Sequence, residues 1–211
     1  MESFQTSIFI YLVVVLSAIV HEYAHGWAAL RAGDPTAKYA GRLTLNPLAH
    51  LDLFGTVLLP LFLLFTGGIF IGYAKPVPIN PYNFKDQRKG LLNVSLAGVT
   101  ANFILGLIFS FLFVGASVND WGSASFQGML SLIAYINIIL GLFNLIPVPP
   151  LDGSKVLQAL MPQRYQIAMA KFSALGSVFG ILVALFVAFL FIAPLAQLVF
   201  SLFVRLADFI L

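Results

Sequence analysis

Cysteine is absent from this sequence and charged residues are scarce: Asp, Glu, Lys and Arg together make up 9% of the 211 residues. Without cysteine the chain can form neither a disulfide nor a thiolate metal site, so a bound metal would need His, Asp or Glu as ligands. Soluble domains contain about 25% charged residues, and the low fraction here excludes that class. The net charge of +3 comes from basic loops, which carry information on membrane topology and do not indicate nucleic-acid binding.

Apolar residues dominate the sequence instead. They make up 60% of the chain, which includes 21 Phe, and the mean hydropathy is +0.98. At roughly 20 residues per crossing, a chain of this length has room for about five or six membrane segments and almost no extramembrane domain. The composition therefore predicts an all-α polytopic membrane protein, with residues 1–211 forming a single membrane-embedded domain.

Hydrophobic runs separated by polar, glycine-rich or proline-rich stretches define the expected helices. Three transmembrane helices are expected to form a core over residues 6–160, and C-terminal helices follow over residues 165–211. Pro194 is expected to end the last clear span, because proline lacks the N–H that an interior helix position donates. The predicted segments are Thr6–Arg31, Gly90–Val118, Phe126–Ile146, a short polar helix Ser154–Leu160, Phe172–Ala193, and a tail Leu195–Leu211 that either spans the membrane or lies at its surface.

The basic residues predict the topology. Lys and Arg cluster in residues 31–42, 75–89 and 155–171, whereas the link 119–122 contains none. Cytoplasmic loops carry an excess of Lys and Arg, so the three clusters are expected in the cytoplasm and the link outside. The apolar segment Leu51–Gly72 then begins and ends on the cytoplasmic side. Because about 20 residues cross a bilayer only once, this segment is predicted to be re-entrant.

One short motif carries most of the functional information. His21-Glu22-Tyr23-Ala24-His25 reads His-Glu-x-x-His, the pattern of zinc metallopeptidases. Residues four apart lie on one face of a helix, so both imidazoles can bind one metal, while Glu22 beside that face can accept a proton from the attacking water. Ionisable residues inside a membrane span are expensive and indicate function. The alternative is a pair of packed or snorkelling histidines without a metal.

A catalytic zinc ion takes three protein ligands and a water, so a third ligand is needed. The candidates are His50, Asp52, Asp152 and the other carboxylates. Asp152 is favoured, because it follows a proline-rich turn at the cytoplasmic end of a predicted span, at a depth similar to that of His21. Its alternative role is an N-cap of the helix near Ser154. For His50 the favoured alternative is a polar residue at the membrane interface.

Two motifs in this order resemble the site-2 protease family of intramembrane metalloproteases. They are His21–His25 and the stretch Phe-Asn-Leu-Ile-Pro-Val-Pro-Pro-Leu-Asp-Gly at Phe143–Gly153. The stretch Gly41–His50 is similar to a compact prokaryotic branch of that family, which has neither a PDZ nor a CBS domain. The resemblance covers residues 6–160. By position in these motifs it implies a Zn²⁺ site of His21, His25 and Asp152, with Glu22 as the general base.

Two asparagines are candidates for contacts with the reacting peptide. The tetrahedral oxyanion of peptide hydrolysis needs hydrogen-bond donors besides the metal, and Asn144 or Asn102 could supply side-chain N–H groups or hold the substrate strand. The alternative for each is a hydrogen bond between membrane spans. Gly98 and Asn102 match the Gly-x-x-x-Asn element that the family has on its middle core helix, although its usual proline after the glycine is Val99 here.

The resemblance implies an intramembrane zinc metalloprotease of a cell membrane, with its active site nearer the cytoplasmic face. The expected partners are the lipid bilayer and a transmembrane protein or peptide, cleaved in or near its membrane segment. Gly68–Lys75 or Tyr73–Ile79 could pair with the unwound substrate as an edge strand. Two other classes stay open: a metal transporter, which would not need Glu22 between the histidines, and a non-proteolytic zinc-binding membrane scaffold.

Overall fold

The computed structural model describes residues 2–52, 56, 58, 75–162 and 176–211. The helices in that part of the chain are α1 (Glu2–Ala32), α2 (Thr36–Tyr39), α3 (Gln87–Val118), α4 (Ala124–Asn144), α5 (Asp152–Leu160) and α6 (Ser177–Ile210), with 3-10 turns at Pro47–Ala49 and Pro81–Asn83. Four of them, α1, α3, α4 and α6, are long and apolar enough to cross a membrane. This confirms the prediction of an all-α polytopic membrane protein.

Helix α3 is central to the described fold, since it packs against α1, α4, α5 and α6. Its buried positions include small residues, which let neighbouring helices approach closely. At Gly106, for example, a Cβ atom would lie 2.9 Å from Cγ1 of Ile138 on α4. Asp86 explains why α3 begins at Gln87 and not at the predicted Gly90, because its side chain caps the helix by accepting from the Lys89 N–H.

The prediction that Pro194 breaks the C-terminal span is wrong, because α6 continues through it from Ser177 to Ile210. Proline removes one backbone hydrogen bond from a helix. Leaving the helix inside a bilayer would expose several unsatisfied backbone groups at once, which is more costly than the one lost bond. The tail Leu195–Leu211 is therefore the second half of a long helix and not a separate element.

Helix α6 also packs against the turn that joins α4 to α5. Its buried Ala184 and Ile192 pack against Ile146 in that turn. Gly180 approaches so closely that a Cβ there would lie 1.8 Å from the carbonyl oxygen of Pro149. The C-terminal helix thus supports the segment that leads directly into Asp152.

The two polar stretches on either side of the predicted re-entrant segment are bound to each other. The Lys85 N–H donates to the Ala32 carbonyl oxygen at 2.9 Å, and the Arg42 guanidinium donates to the Lys75 carbonyl oxygen at 2.6 Å. Residues 31–50 and 75–89 therefore lie at one end of the molecule, as the positive-inside argument requires. The segment Leu51–Gly72 itself lies, apart from residues 51, 52, 56 and 58, outside the described residues.

Candidate metal centre

Three side chains from two helices converge on one buried point. His21 and His25 lie one turn apart on α1, and their Nε2 atoms are 2.9 Å from each other. The Oδ2 atom of Asp152, at the start of α5, lies 3.1 Å from the His21 Nε2 and 2.9 Å from the His25 Nε2. All three residues are buried, and together they form a group that could hold a metal ion.

The donor set and its spacing fit zinc. Ligand atoms held at about 2.0–2.1 Å from a tetrahedral zinc ion lie about 3.3 Å from one another. The three separations in this site, 2.9, 2.9 and 3.1 Å, need to widen only slightly to reach that value. Two imidazoles and one carboxylate form the set that leaves a fourth position open for water in catalytic zinc sites.

The Nδ1 atoms of both histidines are engaged on the side away from this point. The His25 Nδ1 lies 2.7 Å from the Val94 carbonyl oxygen, an acceptor, so it carries the proton. The His21 Nδ1 lies 2.6 Å from the Asn102 Oδ1. With the Nδ1 protons directed to these acceptors, the Nε2 lone pairs are free for a metal.

Asn102 is held by another asparagine that the sequence analysis missed. Its Nδ2 donates to the Asn137 Oδ1 at 3.1 Å, and the Asn137 Nδ2 donates in turn to the Ile133 carbonyl oxygen at 2.9 Å. Asn102 and Asn137 are each 1% exposed, so their amides have no access to solvent. The signal in the sequence was a second amide within the apolar run Phe126–Ile146, but its partner on α3 could not be read from spacing.

Asp152 is directed towards the histidines by local structure. The N-cap of α5 is Leu151, and no side chain caps the helix, so the alternative role of Asp152 as N-cap is wrong. Its Oδ1 atom accepts from the Lys155 ammonium at 2.9 Å.

Gly98 on α3 provides the space that the two imidazoles occupy. A Cβ atom at this position would lie 2.6 Å from the His21 Nε2 and 2.7 Å from the His25 Nε2. Such distances are far below van der Waals contact, so any side chain here must displace the ligands. This close approach gives a physical reason for the glycine that the Gly-x-x-x-Asn element places here.

We expect Gly98→Ala to weaken zinc binding by about 10–100-fold, the range for changes that disturb the orientation of metal ligands. The measurement is a competition titration with a zinc chelator on purified protein. Gly128→Ala is the matched control, because a Cβ at Gly128 meets nothing within 4 Å. Wild-type zinc affinity in Gly98→Ala would contradict the predicted site.

Glu22 lies on the same helical turn but is not among the three converging residues that could hold a metal ion. Its Oε2 atom accepts a hydrogen bond from the Val77 N–H at 2.7 Å. Val77 belongs to a stretch, Lys75–Asn80, that has no assigned helix or strand. Of the two predicted edge strands, Gly68–Lys75 lies outside the described residues except for Lys75, and Tyr73–Ile79 is described only from Lys75 onwards.

Two other candidate residues make hydrogen bonds outside the group of three converging side chains. His50 is 1% exposed, and its Nε2 lies 2.8 Å from the Thr44 carbonyl oxygen. The ring is thus buried within the protein, and the expectation that His50 lies at the membrane interface stays a prediction. The Asn144 Nδ2 donates to the Leu140 carbonyl oxygen of its own helix at 3.0 Å, so its contact with the substrate stays a prediction.

Comparison with known proteins points to one family. The model of peptidase family M50 matches residues 9–124 and 116–187. "Putative zinc metalloprotease YwhC" of Bacillus subtilis (strain 168) is 38% identical over 196 residues, which are 90% of this chain and 83% of that protein. "Putative zinc metalloprotease Rip2" of Mycolicibacterium smegmatis is 31% identical over 159 residues, which are 74% of this chain and 58% of that protein. No solved structure shows a significant match.

Proposed function

The chain belongs to peptidase family M50, and from this premise we propose that it is an intramembrane zinc metalloprotease that hydrolyses a peptide bond in or near a transmembrane segment of a membrane protein. One observation carries the proposal. Two histidines of α1 and an aspartate of α5 converge within hydrogen-bond distance, next to a glutamate that is not a ligand. A transporter or a scaffold would need the ligands but not Glu22.

The residues present divide the chemistry between them. His21, His25 and Asp152 would hold the zinc ion, which when bound acidifies a water and polarises the scissile carbonyl. Glu22 accepts the proton of the attacking water and passes it to the leaving amine. Since the Glu22 Oε2 is bound to the Val77 N–H, the Oε1 atom is the one left for proton transfer.

The asparagines take different parts in this proposal. Both polar groups of the Asn102 amide are engaged, by His21 and by Asn137, so Asn102 orients a zinc ligand and does not contact the substrate. The Asn144 amide uses one N–H for the Leu140 carbonyl and keeps a second for the oxyanion or for the substrate strand.

The position of the site suggests how a substrate reaches it. Glu22 is bound by a stretch that begins at Lys75. This stretch belongs to the polar layer, by which we mean residues 31–50 and 75–89, and the positive-inside rule assigns this layer to the cytoplasmic side. The site thus lies towards the cytoplasmic end of a multi-pass protein of the cell membrane. A substrate helix must unwind there, because each carbonyl in a helix is already bound to an N–H one turn away.

The test is cleavage of single-span membrane proteins by the purified chain in liposomes. Cleavage that stops when a chelator removes zinc and returns when zinc is restored supports the proposal. Cleavage that persists without zinc contradicts it. Zinc uptake into the liposomes without cleavage would assign the site to transport, and zinc binding with neither activity would assign the chain to the scaffold class.

A further inference from the structure

We infer that Asp34 is a positioning residue for the general base, acting through the stretch Lys75–Asn80, which we call the strap. The inference rests on the proposed function, since it concerns how Glu22 is held. Asp34 follows the end of α1, three helical turns beyond Glu22. It is 0% exposed although it is ionisable and lies outside the apolar spans.

The Asp34 carboxylate connects three segments of the polar layer. Its Oδ1 atom accepts from the Thr36 N–H at 3.1 Å and from the Asn83 Nδ2 at 2.8 Å, and the Thr36 hydroxyl donates to the same oxygen. Its Oδ2 atom has a different partner, the Asn80 N–H at 2.7 Å. The Oδ1 atom therefore joins Thr36 to the 3-10 turn Pro81–Asn83, and the Oδ2 atom fixes the end of the strap.

Asp34 keeps its charge in this buried position. Burial raises the pKa of its carboxyl, but the hydrogen bonds from Thr36, Asn80 and Asn83 outweigh burial and hold the pKa below its usual value. An ionised carboxylate accepts stronger hydrogen bonds than a neutral group does. The end of the strap is thus bound to a charged carboxylate, which takes no direct part in proton transfer at Glu22.

The strap is fixed at its other end as well. The Lys75 N–H donates to the His50 carbonyl oxygen at 2.9 Å, and the Lys75 carbonyl accepts from Arg42 at 2.6 Å. Between the two ends, Pro76 and Pro78 fix their own φ angles and restrict the residues before them to extended conformations. A segment anchored at both ends and stiffened in this way has few ways to move.

Val77 is the point at which the strap meets the active site. Because Pro76 and Pro78 have no N–H, the Val77 N–H is the one main-chain donor between Lys75 and Ile79. It donates to the Glu22 Oε2 at 2.7 Å. The Val77 side chain is 6% exposed and packs against α1, where a Cβ at Gly26 would lie 3.1 Å from it. The strap therefore sets the direction of the Glu22 carboxylate.

The same geometry restricts how a substrate strand could use the strap. Edge pairing needs free main-chain donors, and in the middle of the strap the single donor is already bound to Glu22. Prolines at alternate positions are also the usual means by which proteins block an edge strand. The strap is therefore a support for the base, and substrate pairing belongs to another segment.

The first experiment replaces Asp34 by asparagine in the full chain. Asparagine has the size of aspartate and retains one acceptor oxygen. Its NH₂ group would face the Asn80 N–H, and two donors cannot form a hydrogen bond with each other. We expect kcat for cleavage to fall about tenfold, a part of the 10²–10⁴-fold that a general base contributes, with KM and zinc content unchanged. Asp86→Asn is the matched control: it makes the same Asp-to-Asn change at a carboxylate that accepts from the Lys89 N–H at the start of α3, and kcat should stay near the wild-type value.

The second experiment alters the strap directly. Val77→Pro removes the N–H that binds Glu22 in a segment already extended, and we expect kcat to fall at least as far as in Asp34→Asn. Val77→Ala keeps the N–H and loses only side-chain contact with α1, so its loss should be smaller. If Asp34 acts through Val77, the two losses are not additive, and Asp34→Asn in the Val77→Pro background should change kcat little further.

A readout without catalysis completes the test. In zinc-free protein, hydrogen–deuterium exchange of the peptide containing Val77 should be faster in Asp34→Asn than in Asp86→Asn. Equal exchange in the two variants, additive losses in the double variant, or a loss of fold or zinc in Asp34→Asn would overturn the inference. These results are distinguishable from failure of the proposed function, in which the wild-type chain itself would not cleave.

Discussion

Glu22→Gln is expected to reduce cleavage of a transmembrane substrate by about 10²–10⁴-fold while leaving zinc in place, because a positioned general base contributes a factor of this size. Glutamine has the shape of glutamate but cannot accept the proton of water. Its side-chain oxygen can still accept from the Val77 N–H, which binds the Glu22 Oε2 at 2.7 Å in the wild type. The substitution therefore removes proton transfer and preserves the contact with the strap.

The measurement is the single-turnover cleavage rate in liposomes, together with zinc content by metal analysis. Tyr23→Phe is the control, since it changes the next residue of α1 by one hydroxyl and touches none of the three ligands. A Glu22→Gln protein that keeps its zinc and cleaves at a rate close to wild type would show that another group is the base. The protease mechanism proposed for this site would then be wrong.

Much of the fold could be predicted from hydrophobic runs. The spans ending at Val118 and Asn144 were found within a few residues, because the energy of a membrane helix depends mainly on its own length and apolarity. Pro194 shows where this reasoning fails. In water, proline readily ends a helix because water can bind the backbone groups that are released. In a bilayer no water is available for those groups, so the helix continues through Pro194.

The candidate metal centre could be predicted from the sequence to the extent that its geometry is local. The spacing of His21 and His25 follows from the helical repeat, and Asp152 could be proposed because charge and span lengths brought it to the same end of the molecule. The contacts that hold these side chains could not be predicted, although Gly98 and Asn102 were themselves candidates. Asn137 acts on His21 through Asn102, which is 35 residues away in sequence, and no periodicity encodes such a pair.

The contact between Glu22 and Val77 illustrates the same limit. The two residues are 55 positions apart, and the donor is a main-chain N–H, which every residue except proline possesses. The prolines on either side of Val77 were visible in the sequence, but a Pro-x-Pro stretch ordinarily indicates a loop. Only the position of the strap against α1 shows that the loop holds the Glu22 carboxylate.

Asp152→Ala is expected to weaken zinc binding by at least about 100-fold, since loss of a direct ligand should exceed the 10–100-fold effect of disturbing its neighbours. The carboxylate would supply the third ligand atom, which lies 2.9 Å and 3.1 Å from the two imidazole nitrogens. Two histidines alone leave a zinc ion with only half of its tetrahedral coordination from the protein. Cleavage should fall as zinc occupancy falls. It should recover in part at high zinc concentration, because water can fill the coordination position that Asp152 leaves open.

His50→Ala is the matched control for this prediction. His50 is also a buried histidine of the polar layer, but its Nε2 faces the Thr44 carbonyl oxygen at 2.8 Å and not the three ligands. Chelator competition on both variants gives the comparison, with wild-type zinc affinity expected for His50→Ala. If Asp152→Ala kept full zinc affinity and His50→Ala lost it, the third ligand would be His50. The converging arrangement of α1 and α5 would then have to be explained without a metal.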